Sequence, residues 1–169
     1  MKVVILYSSC DGQTKKIAEF MAQQLSSDTV VTSVLEPVDL SDFTHIVIGA
    51  SIRYGHFDKN LYQFIENNYS ELSQKKSAFF GVNLTARKEG KDNPETNVYI
   101  RKFLQRIEWK PMLIGVFAGA LLYPRYKWFD RIMIQFIMKL TGGETDTTKE
   151  IEYTDWKKVS AFIEHLRSK

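Results

Sequence analysis

The strongest constraint on the fold of this chain is a regular alternation of short β-branched runs with amphipathic segments. The run VVILYS, Val3–Ser8, is almost entirely apolar, which is typical of a strand covered on both faces. Thr14–Leu25 follows it and places apolar residues at helical spacing. The same pairing repeats along the chain, as expected of strands that are joined by helices in a parallel sheet.

The repetition predicts the remaining elements. Further strands are predicted at Thr29–Leu35, His45–Ala50, Ser77–Asn83 and Met112–Leu121. Further helices are predicted at Asn60–Tyr69, Val98–Ile107 and Asp155–Arg167, the last with Thr154 as its N-cap. The expected fold is α/β, with a doubly wound five-stranded parallel sheet and helices on both faces. One domain is predicted over residues 1–169, with a long amphipathic insertion at about 123–146 after the last strand.

Composition narrows the classes of function. Cys10 is the only cysteine, which excludes an internal disulfide and a cysteine-based zinc centre, and no metal site is expected. The formal net charge of +3 is modest, and no nucleic-acid partner is expected. No apolar run approaches the eighteen or so residues that a membrane-spanning helix needs.

Ligands of doubly wound sheets bind at the carboxyl ends of the strands, and the first such loop is SSCDGQTKK, Ser8–Lys16. Gly12 permits a tight turn, and backbone amides at the start of the next helix favour a phosphate. The hydroxyls of Ser9 and Thr14 can complete that site. The loop matches neither G-x-x-x-x-G-K-[ST] nor G-x-G-x-x-G. A purely structural Asp-Gly turn with a threonine cap is the alternative that these residues leave open.

The second and third loops contain residues suited to a flat, anionic ligand. In GASIRYGHF, Gly49–Phe57, the small residues allow a planar group to approach the backbone and Tyr54 offers a stacking surface, with Arg53 and His56 nearby. In VNLTARKEGKDN, Val82–Asn93, the cations Arg87, Lys88 and Lys91 are available for anionic groups. The alternatives are a tyrosine that only covers the sheet end and a solvated basic loop.

These segments carry a resemblance to known proteins. SSCDGQT resembles the S-x-T-G-x-T phosphate loop of flavodoxins, with Asp11 replacing the usual threonine. Four more segments, in order, resemble the flavodoxin-like, quinone-dependent (menaquinone-dependent) protoporphyrinogen oxidases of bacteria. They are GASIRYGH at 49–56, VNLTARK at 82–88, AGALLYPRYKWFDRIMI at 118–134 and GGETDTTKEIEYTDW at 142–156.

The resemblance implies FMN as cofactor, protoporphyrinogen IX as a substrate that is oxidised to protoporphyrin IX in haem biosynthesis, and menaquinone or ubiquinone as electron acceptor. The residues implied for the FMN phosphate are Ser9, Cys10, Asp11, Gly12, Gln13 and Thr14. Those implied for the flavin ring are Ser51, Ile52, Arg53, Tyr54, Asn83, Leu84, Thr85, Ala86 and Arg87, with Glu144, Thr145 and Asp146 as weaker candidates. Because the flavin performs the redox chemistry, no side chain is assigned as acid or base. The substrate's propionates would bind cations, and the candidates are Arg53, Arg87 and Arg125.

The insertion contains KWFDRIMIQFIMKL, Lys127–Leu140, which predicts an amphipathic helix. Its apolar face consists of Phe129, Ile132, Met133, Phe136, Ile137 and Leu140, and its polar stripe consists of Lys127, Arg131, Gln135 and Lys139. We expect this helix to contact the membrane surface or to wall a pocket for quinone and porphyrinogen, while packing on its own domain is the alternative. The expected location is peripheral, on the cytoplasmic face of the bacterial inner membrane. Contact of this face with a second copy of the chain, in a homo-oligomer, is a further alternative. The glycines of GGETDT, Gly142–Thr147, are expected to end the helix.

Two rival functions belong to the same fold. An electron-transfer flavodoxin predicts an acidic docking surface and no apolar insertion. This sequence is instead basic overall and contains an apolar insertion. An NAD(P)H:quinone reductase predicts direct reduction by a nicotinamide, which the sequence alone does not test.

Overall fold

The computed structural model describes residues 1–169, and its centre is a five-stranded parallel sheet. The strands are β1 (Val3–Ser8), β2 (Thr29–Ser33), β3 (His45–Ser51), β4 (Lys76–Asn83) and β5 (Leu113–Ala118). Their spatial order is β2-β1-β3-β4-β5, and every neighbouring pair is parallel. This order confirms the predicted doubly wound sheet and puts its topological switch point between β1 and β3.

Helices cover both faces of this sheet. One face packs against α1 (Gln13–Gln24) and α6 (Trp156–Ser168), and the other against α2 (Lys59–Asn67), α3 (Tyr69–Gln74) and α4 (Val98–Arg106). Successive side chains of β4 alternate between the two cores, so that Phe79 stacks on Phe103 at 4.3 Å while Phe80 packs beside Phe162. Burial on both sides explains why these strands are continuous apolar runs.

The predicted strand Met112–Leu121 is wrong at its carboxyl end. β5 stops at Ala118, and Ala120–Leu122 forms a separate strand, β6, that pairs antiparallel with β7 (Glu150–Glu152). Gly119 makes the break, because its amide donates to Asn83 O at 3.2 Å and its carbonyl accepts from Tyr153 N at 3.0 Å. A strand as short as β7 leaves almost no periodicity to detect.

Three smaller boundaries also differ from prediction. The N-cap of α6 is Asp155, whose carboxylate accepts from Lys157 N at 3.0 Å, whereas Thr154 donates its hydroxyl to Ala118 O at 2.7 Å. The predicted helix Asn60–Tyr69 divides into α2 and α3 at Asn68. The second strand ends two residues early, where the Ser33 hydroxyl accepts from Leu35 N at 3.2 Å and turns the chain.

The insertion after β6 begins with a 3-10 turn at Tyr123–Arg125 and continues as α5 (Trp128–Leu140). Gly142 has a left-handed φ of 73°, and Gly143 N donates to Met138 O at 2.7 Å, so the glycines end the helix as predicted. A small core separate from the two sheet cores joins the insertion to β6. Its buried members are Leu121, Leu122, Tyr123, Tyr126, Ile134 and Met138. None of the helices is both long enough and apolar enough to cross a bilayer.

Candidate functional site

A cavity of about 500 Å³ opens at the carboxyl ends of β1, β3 and β4, and α5 forms its far wall. This position is the switch point at which sheets of this kind bind ligands. The predicted site residues that line it are Ser9, Cys10, Asp11, Gln13, Thr14, Ser51, Ile52, Arg53, Tyr54, Asn83, Leu84, Thr85 and Arg87. The three loops chosen from the sequence therefore meet at one site.

The loop between β1 and α1 presents hydrogen-bond donors to this cavity. Gly12 has a φ of 96°, a conformation that favours glycine, and its amide donates to Ser9 Oγ at 3.0 Å. No side chain caps the first turn of α1. Thr14 is fully buried in that turn, and its hydroxyl has no hydrogen-bond partner within the protein. Uncapped helix amides and a free hydroxyl are donors suited to an anion such as a phosphate.

A tight turn after β3 fixes the second loop. Arg53 N donates to His56 O at 3.0 Å, and His56 N donates to Arg53 O at 3.1 Å. Tyr54 has a φ of 51° and is the only non-glycine residue of the protein with a positive φ. Such a conformation costs on the order of 1 kcal/mol or more and persists only where its surroundings hold it.

Two carboxylates from distant parts of the chain hold the side chains of this turn. Arg53 donates to Asp11 of the first loop, and its Nη1 lies 3.5 Å from Oδ2 of Asp130 in α5. Burial lowers the pKa of Arg53, but the hydrogen bond and charge of Asp11 outweigh it and leave that pKa above its ordinary value. Tyr54 donates its hydroxyl to Asp130, and burial together with this bond raises the pKa of Tyr54 to about 12. Arg53 thus links α5 to the first loop, and its own charge is compensated.

Asn83, at the end of β4, organises the third loop. Its Oδ1 accepts from Ala86 N at 2.9 Å and from Asn97 Nδ2 at 3.1 Å. Its own Nδ2 is buried without a partner. Arg87 donates from Nη1 to Leu84 O at 2.8 Å. The loop therefore offers the cavity an amide donor and a guanidinium, and it contains no aromatic ring.

The wall opposite the loops is apolar and comes from α5. Met133, Ile134, Ile137 and Met138 line the cavity, and Ile134 and Met138 are buried against Tyr126. The helix also presents apolar side chains outward, and Met133 and Ile137 belong to both surfaces. Its exposed members are Trp128, Phe129, Ile132, Met133, Phe136, Ile137 and Leu140. The predicted amphipathic helix is therefore present, and one of its sides forms a wall of the cavity.

The predicted polar stripe of α5 is only partly exposed. Arg131 donates from Nη2 to Tyr126 O at 3.4 Å, and Gln135 donates from Nε2 to Thr145 O at 2.9 Å, so both side chains turn toward the domain. Lys127 and Lys139, at the two ends of the stripe, are exposed. The helix thus carries fewer free cations than its sequence indicates.

Several known proteins are similar in sequence to this chain over most of its length. A family model described as flavodoxin domain matches residues 4–148. A protein of Leishmania major named protoporphyrinogen IX dehydrogenase (quinone) is 54% identical over 167 residues, covering 95% of this chain and 72% of that protein. A protein of the same name from Escherichia coli (strain K12) is 46% identical over 177 aligned residues, covering 100% of this chain and 98% of that protein. The chain belongs to the flavodoxin-like protoporphyrinogen IX dehydrogenase family.

Solved structures agree with the flavodoxin-like fold of this family member. A flavodoxin from the domain Archaea has a TM-score of 0.51 at 22% identity and covers 69% of this chain and 83% of its own. A flavoprotein from Lactobacillus acidophilus, solved in complex with FMN, has a TM-score of 0.51 at 15% identity and covers 68% of this chain and 92% of its own. At these identities the likeness shows the fold alone, and it confirms the fold class expected from the sequence.

The structure does not bring every predicted site residue of this family member to the cavity. Arg125 is a clear case, because its guanidinium pairs with Glu150 on β7 at 2.9 and 3.3 Å and lies outside the cavity lining. Glu144 accepts from its own loop, at Thr145 N and Asp146 N, which turns this segment inward on itself. Gly12 and Ala86 are also outside the cavity lining, but they shape the first and third loops.

Other residues also line the cavity, and of these only Lys88, Met133 and Ile137 were singled out in the sequence. They are Gly55, Val82, Lys88, Tyr99, Gly119, Ala120, Tyr126, Met133, Ile134, Ile137, Met138 and Thr141. Ile134 and Met138 are one helical turn apart, and that spacing was the available signal for an inward-facing contact of α5. The larger apolar face on the other side of the helix dominated the pattern. The structure also shows no cluster of three or more His, Cys, Asp or Glu side chains placed to hold a metal ion.

Proposed function

We propose that this chain is an FMN-dependent dehydrogenase that oxidises protoporphyrinogen IX to protoporphyrin IX and passes the electrons to a membrane quinone. The observation that carries the proposal is that one cavity joins an anion-binding loop at the sheet edge to an apolar wall on α5. The first feature suits a phosphate-bearing cofactor, and the second suits a large, poorly soluble substrate. Family membership, with relatives named for this reaction, supports the same assignment.

The residues present fit FMN. Thr14 Oγ1 and Asn83 Nδ2 are buried donors without partners, and both residues line the cavity. The uncapped first turn of α1 adds backbone amides for the phosphate. The residues that would hold the group are Ser9, Cys10, Asp11, Gly12, Gln13 and Thr14 around the phosphate, and Ser51–Tyr54 and Asn83–Ala86 around the ring. Bound there, FMN would supply the redox chemistry.

The chain's own residues position the substrate and limit access of water. Met133, Ile134, Ile137 and Met138 offer an apolar surface to the tetrapyrrole rings opposite the loops. Asp130 holds this wall to the loops through Arg53 and Tyr54. Because Tyr54 stays protonated at neutral pH, its bond to Asp130 persists under physiological conditions. These contacts keep α5 over the cavity while the substrate reacts.

An anaerobic reduction assay tests the proposal. The FMN-loaded protein is mixed with protoporphyrinogen IX or with NADPH, and the yellow absorbance of the oxidised flavin is followed. We expect rapid bleaching by the porphyrinogen and recovery of the absorbance on addition of a quinone. Rapid bleaching by NADPH together with no reaction with porphyrinogen would instead favour the NAD(P)H:quinone reductase. Bleaching only in the presence of a reductase partner would favour an electron-transfer flavodoxin.

The outward face of α5 is proposed to lie on the membrane that carries the quinone, which makes the protein peripheral. Trp128 and Leu140 are 72% and 71% exposed, and the apolar surface continues through Met133 and Ile137 into the cavity. No acidic residue lies among the exposed apolar residues, since Asp130 is turned to Arg53 and Tyr54. Burial of one large side chain contributes about 1.5–3 kcal/mol, against about 1 kcal/mol for each of Lys127 and Lys139 near anionic lipid. Apolar burial is therefore the main driving force.

Two leucines of nearly equal exposure provide a matched test of this contact. Leu140 lies on α5, whereas Leu35, which is 68% exposed, follows β2. We expect Leu140→Ser to weaken binding to vesicles of phosphatidylethanolamine and phosphatidylglycerol by about tenfold, and Leu35→Ser to leave it unchanged. Equal effects of the two variants, or wild-type protein that does not bind vesicles, would contradict the proposal. Self-association that Leu140→Ser abolishes in the absence of lipid would assign this face to a second copy of the chain.

A further inference from the structure

The cationic side chains that line the cavity are of two kinds. Arg53 is compensated by two carboxylates, Asp11 and Asp130. Arg87 and Lys88, at the other side of the cavity, form no ion pair with any carboxylate of the protein. The cavity thus has one electrostatically compensated side and one side with two free positive charges.

Arg87 is held in place by neutral groups only. Nη1 donates to Leu84 O at 2.8 Å, and Nη2 lies 3.4 Å from the hydroxyl of Thr141, the residue that follows α5. Its guanidinium carbon lies 6.0 Å from the centre of the Tyr153 ring. A guanidinium has five N–H donors, and these contacts leave several of them free. Its position is therefore fixed while its charge remains available to a ligand.

The surroundings of this charge are apolar. Ile137 and Met138 line the cavity beside Thr141, on the same wall of α5. A ligand that matches this arrangement has a broad hydrophobic body with carboxylates along one edge. Arg binds a carboxylate through two parallel hydrogen bonds, and Lys binds it as a point charge.

We propose that Arg87 and Lys88 form the subsite for the two propionate carboxylates of the tetrapyrrole. The rings then lie against the α5 wall, with the propionate edge at the carboxyl end of the helix near Thr141. This inference rests on the proposed function and deepens it, because it specifies the orientation of the substrate in the cavity. It also replaces two expectations from the sequence. Arg53 is already neutralised, and Arg125 is paired with Glu150 outside the cavity.

The test removes the positive charge from one side chain at a time. Wild-type holoenzyme, Arg87→Gln, Lys88→Gln and Arg125→Gln are each assayed with protoporphyrinogen IX and with its dimethyl ester, which keeps the rings but lacks both carboxylates. We expect Arg87→Gln to raise KM for the diacid by about 10- to 100-fold and Lys88→Gln to raise it by about 3- to 10-fold, as for charge-assisted hydrogen bonds. Neither variant should change KM for the ester, and Arg125→Gln should change neither value. Arg87→Lys should recover part of the affinity for the diacid.

Binding measurements separate this subsite from a role in holding the cofactor. Fluorescence titration of each protein with protoporphyrin IX and its dimethyl ester should show the same loss for the diacid alone, with FMN affinity unchanged. Equal losses for diacid and ester, with weaker FMN binding, would overturn the proposal and assign Arg87 to the cofactor. No loss for Arg87→Gln, or an equal loss for Arg125→Gln, would also overturn it. If the wild type oxidises neither porphyrinogen, the proposed function fails, and the titration still decides whether the carboxylate subsite exists.

Discussion

The cavity has two walls that are built in opposite ways. The loop wall stands on the parallel sheet, with β1, β3 and β4 buried on both faces, and it presents polar backbone and side-chain donors. The α5 wall stands on a small separate core and is attached to the loops mainly through Asp130. It presents apolar side chains both to the cavity and to the outside.

This difference separates two tasks that one site has to perform. A rigid sheet edge keeps donors in fixed positions, as the binding of a phosphate-bearing cofactor requires. A helix with few buried anchors keeps a large apolar surface accessible, as contact with poorly soluble molecules requires. We therefore expect changes under the sheet to affect the whole protein and changes under α5 to remain local.

The largest effect is expected from the core of the sheet. Phe79 is fully buried, stacks on Phe103 and lies edge-on to Phe57 and Trp109. Phe79→Ala should lower the free energy of unfolding by about 3–5 kcal/mol through lost burial and a cavity. Urea denaturation followed by circular dichroism measures it. A loss below about 1 kcal/mol would contradict the view that the loop wall stands on a more strongly packed core than the α5 wall.

A smaller and local effect is expected under α5. Met138 is 2% exposed in the separate core, and Met138→Ala should cost about 2–3 kcal/mol. Because that core is distinct from those of the sheet, the loss should appear as opening of the helix. Amide hydrogen exchange in residues 128–140 should accelerate by about 30- to 100-fold while β1 and β3 keep their protection. Acceleration in all three segments to the same degree would contradict the separation.

Two buried threonines, Thr14 in the loop wall and Thr154 before α6, differ in whether their hydroxyls have hydrogen-bond partners. Thr14→Val should weaken FMN binding by about tenfold, because a donor is lost, yet stabilise the FMN-free protein, because an unpartnered hydroxyl is removed. Thr154 is the control, since its hydroxyl donates to Ala118 O and accepts from Gln13 Nε2. Thr154→Val should destabilise the FMN-free protein by about 1 kcal/mol. Thermal denaturation without FMN and flavin fluorescence titration give the two values. If both variants destabilised the FMN-free protein, the Thr14 hydroxyl would not be an unpartnered donor that is available to FMN.

The smallest effect concerns the contact between β7 and α1 at low pH. Burial raises the pKa of Glu152 on β7, but hydrogen bonds from Lys16, Gln13 and Trp156 outweigh it and leave the pKa below its ordinary value. The stabilisation is therefore present above the ordinary pKa of a glutamate and is lost as the pH falls through the lower folded value. As the pair is partly exposed, we expect about 0.5 kcal/mol. Glu152→Gln should reduce the slope of stability against pH below about 4.5, and an unchanged slope would exclude this contribution.

Particular residues show how far prediction from the sequence extends. The strands β1, β3 and β4 and the loops after them follow from local patterns, because buried β-branched runs and glycine-containing turns are encoded within a few residues. β7 and the break at Gly119 did not follow, because both depend on pairing between residues that lie 28 to 36 positions apart.

The sequence by itself determined the doubly wound sheet, the three loops of the site and the amphipathic character of α5, since each is a local periodicity or a local turn. Only the tertiary structure decided which charges are free. Arg53, Arg87 and Arg125 are alike in the sequence, but Asp11, Asp130 and Glu150 reach two of them from distant positions and leave Arg87 uncompensated. The physical reason is that electrostatic compensation depends on distance in space, and separation along the chain does not reveal that distance.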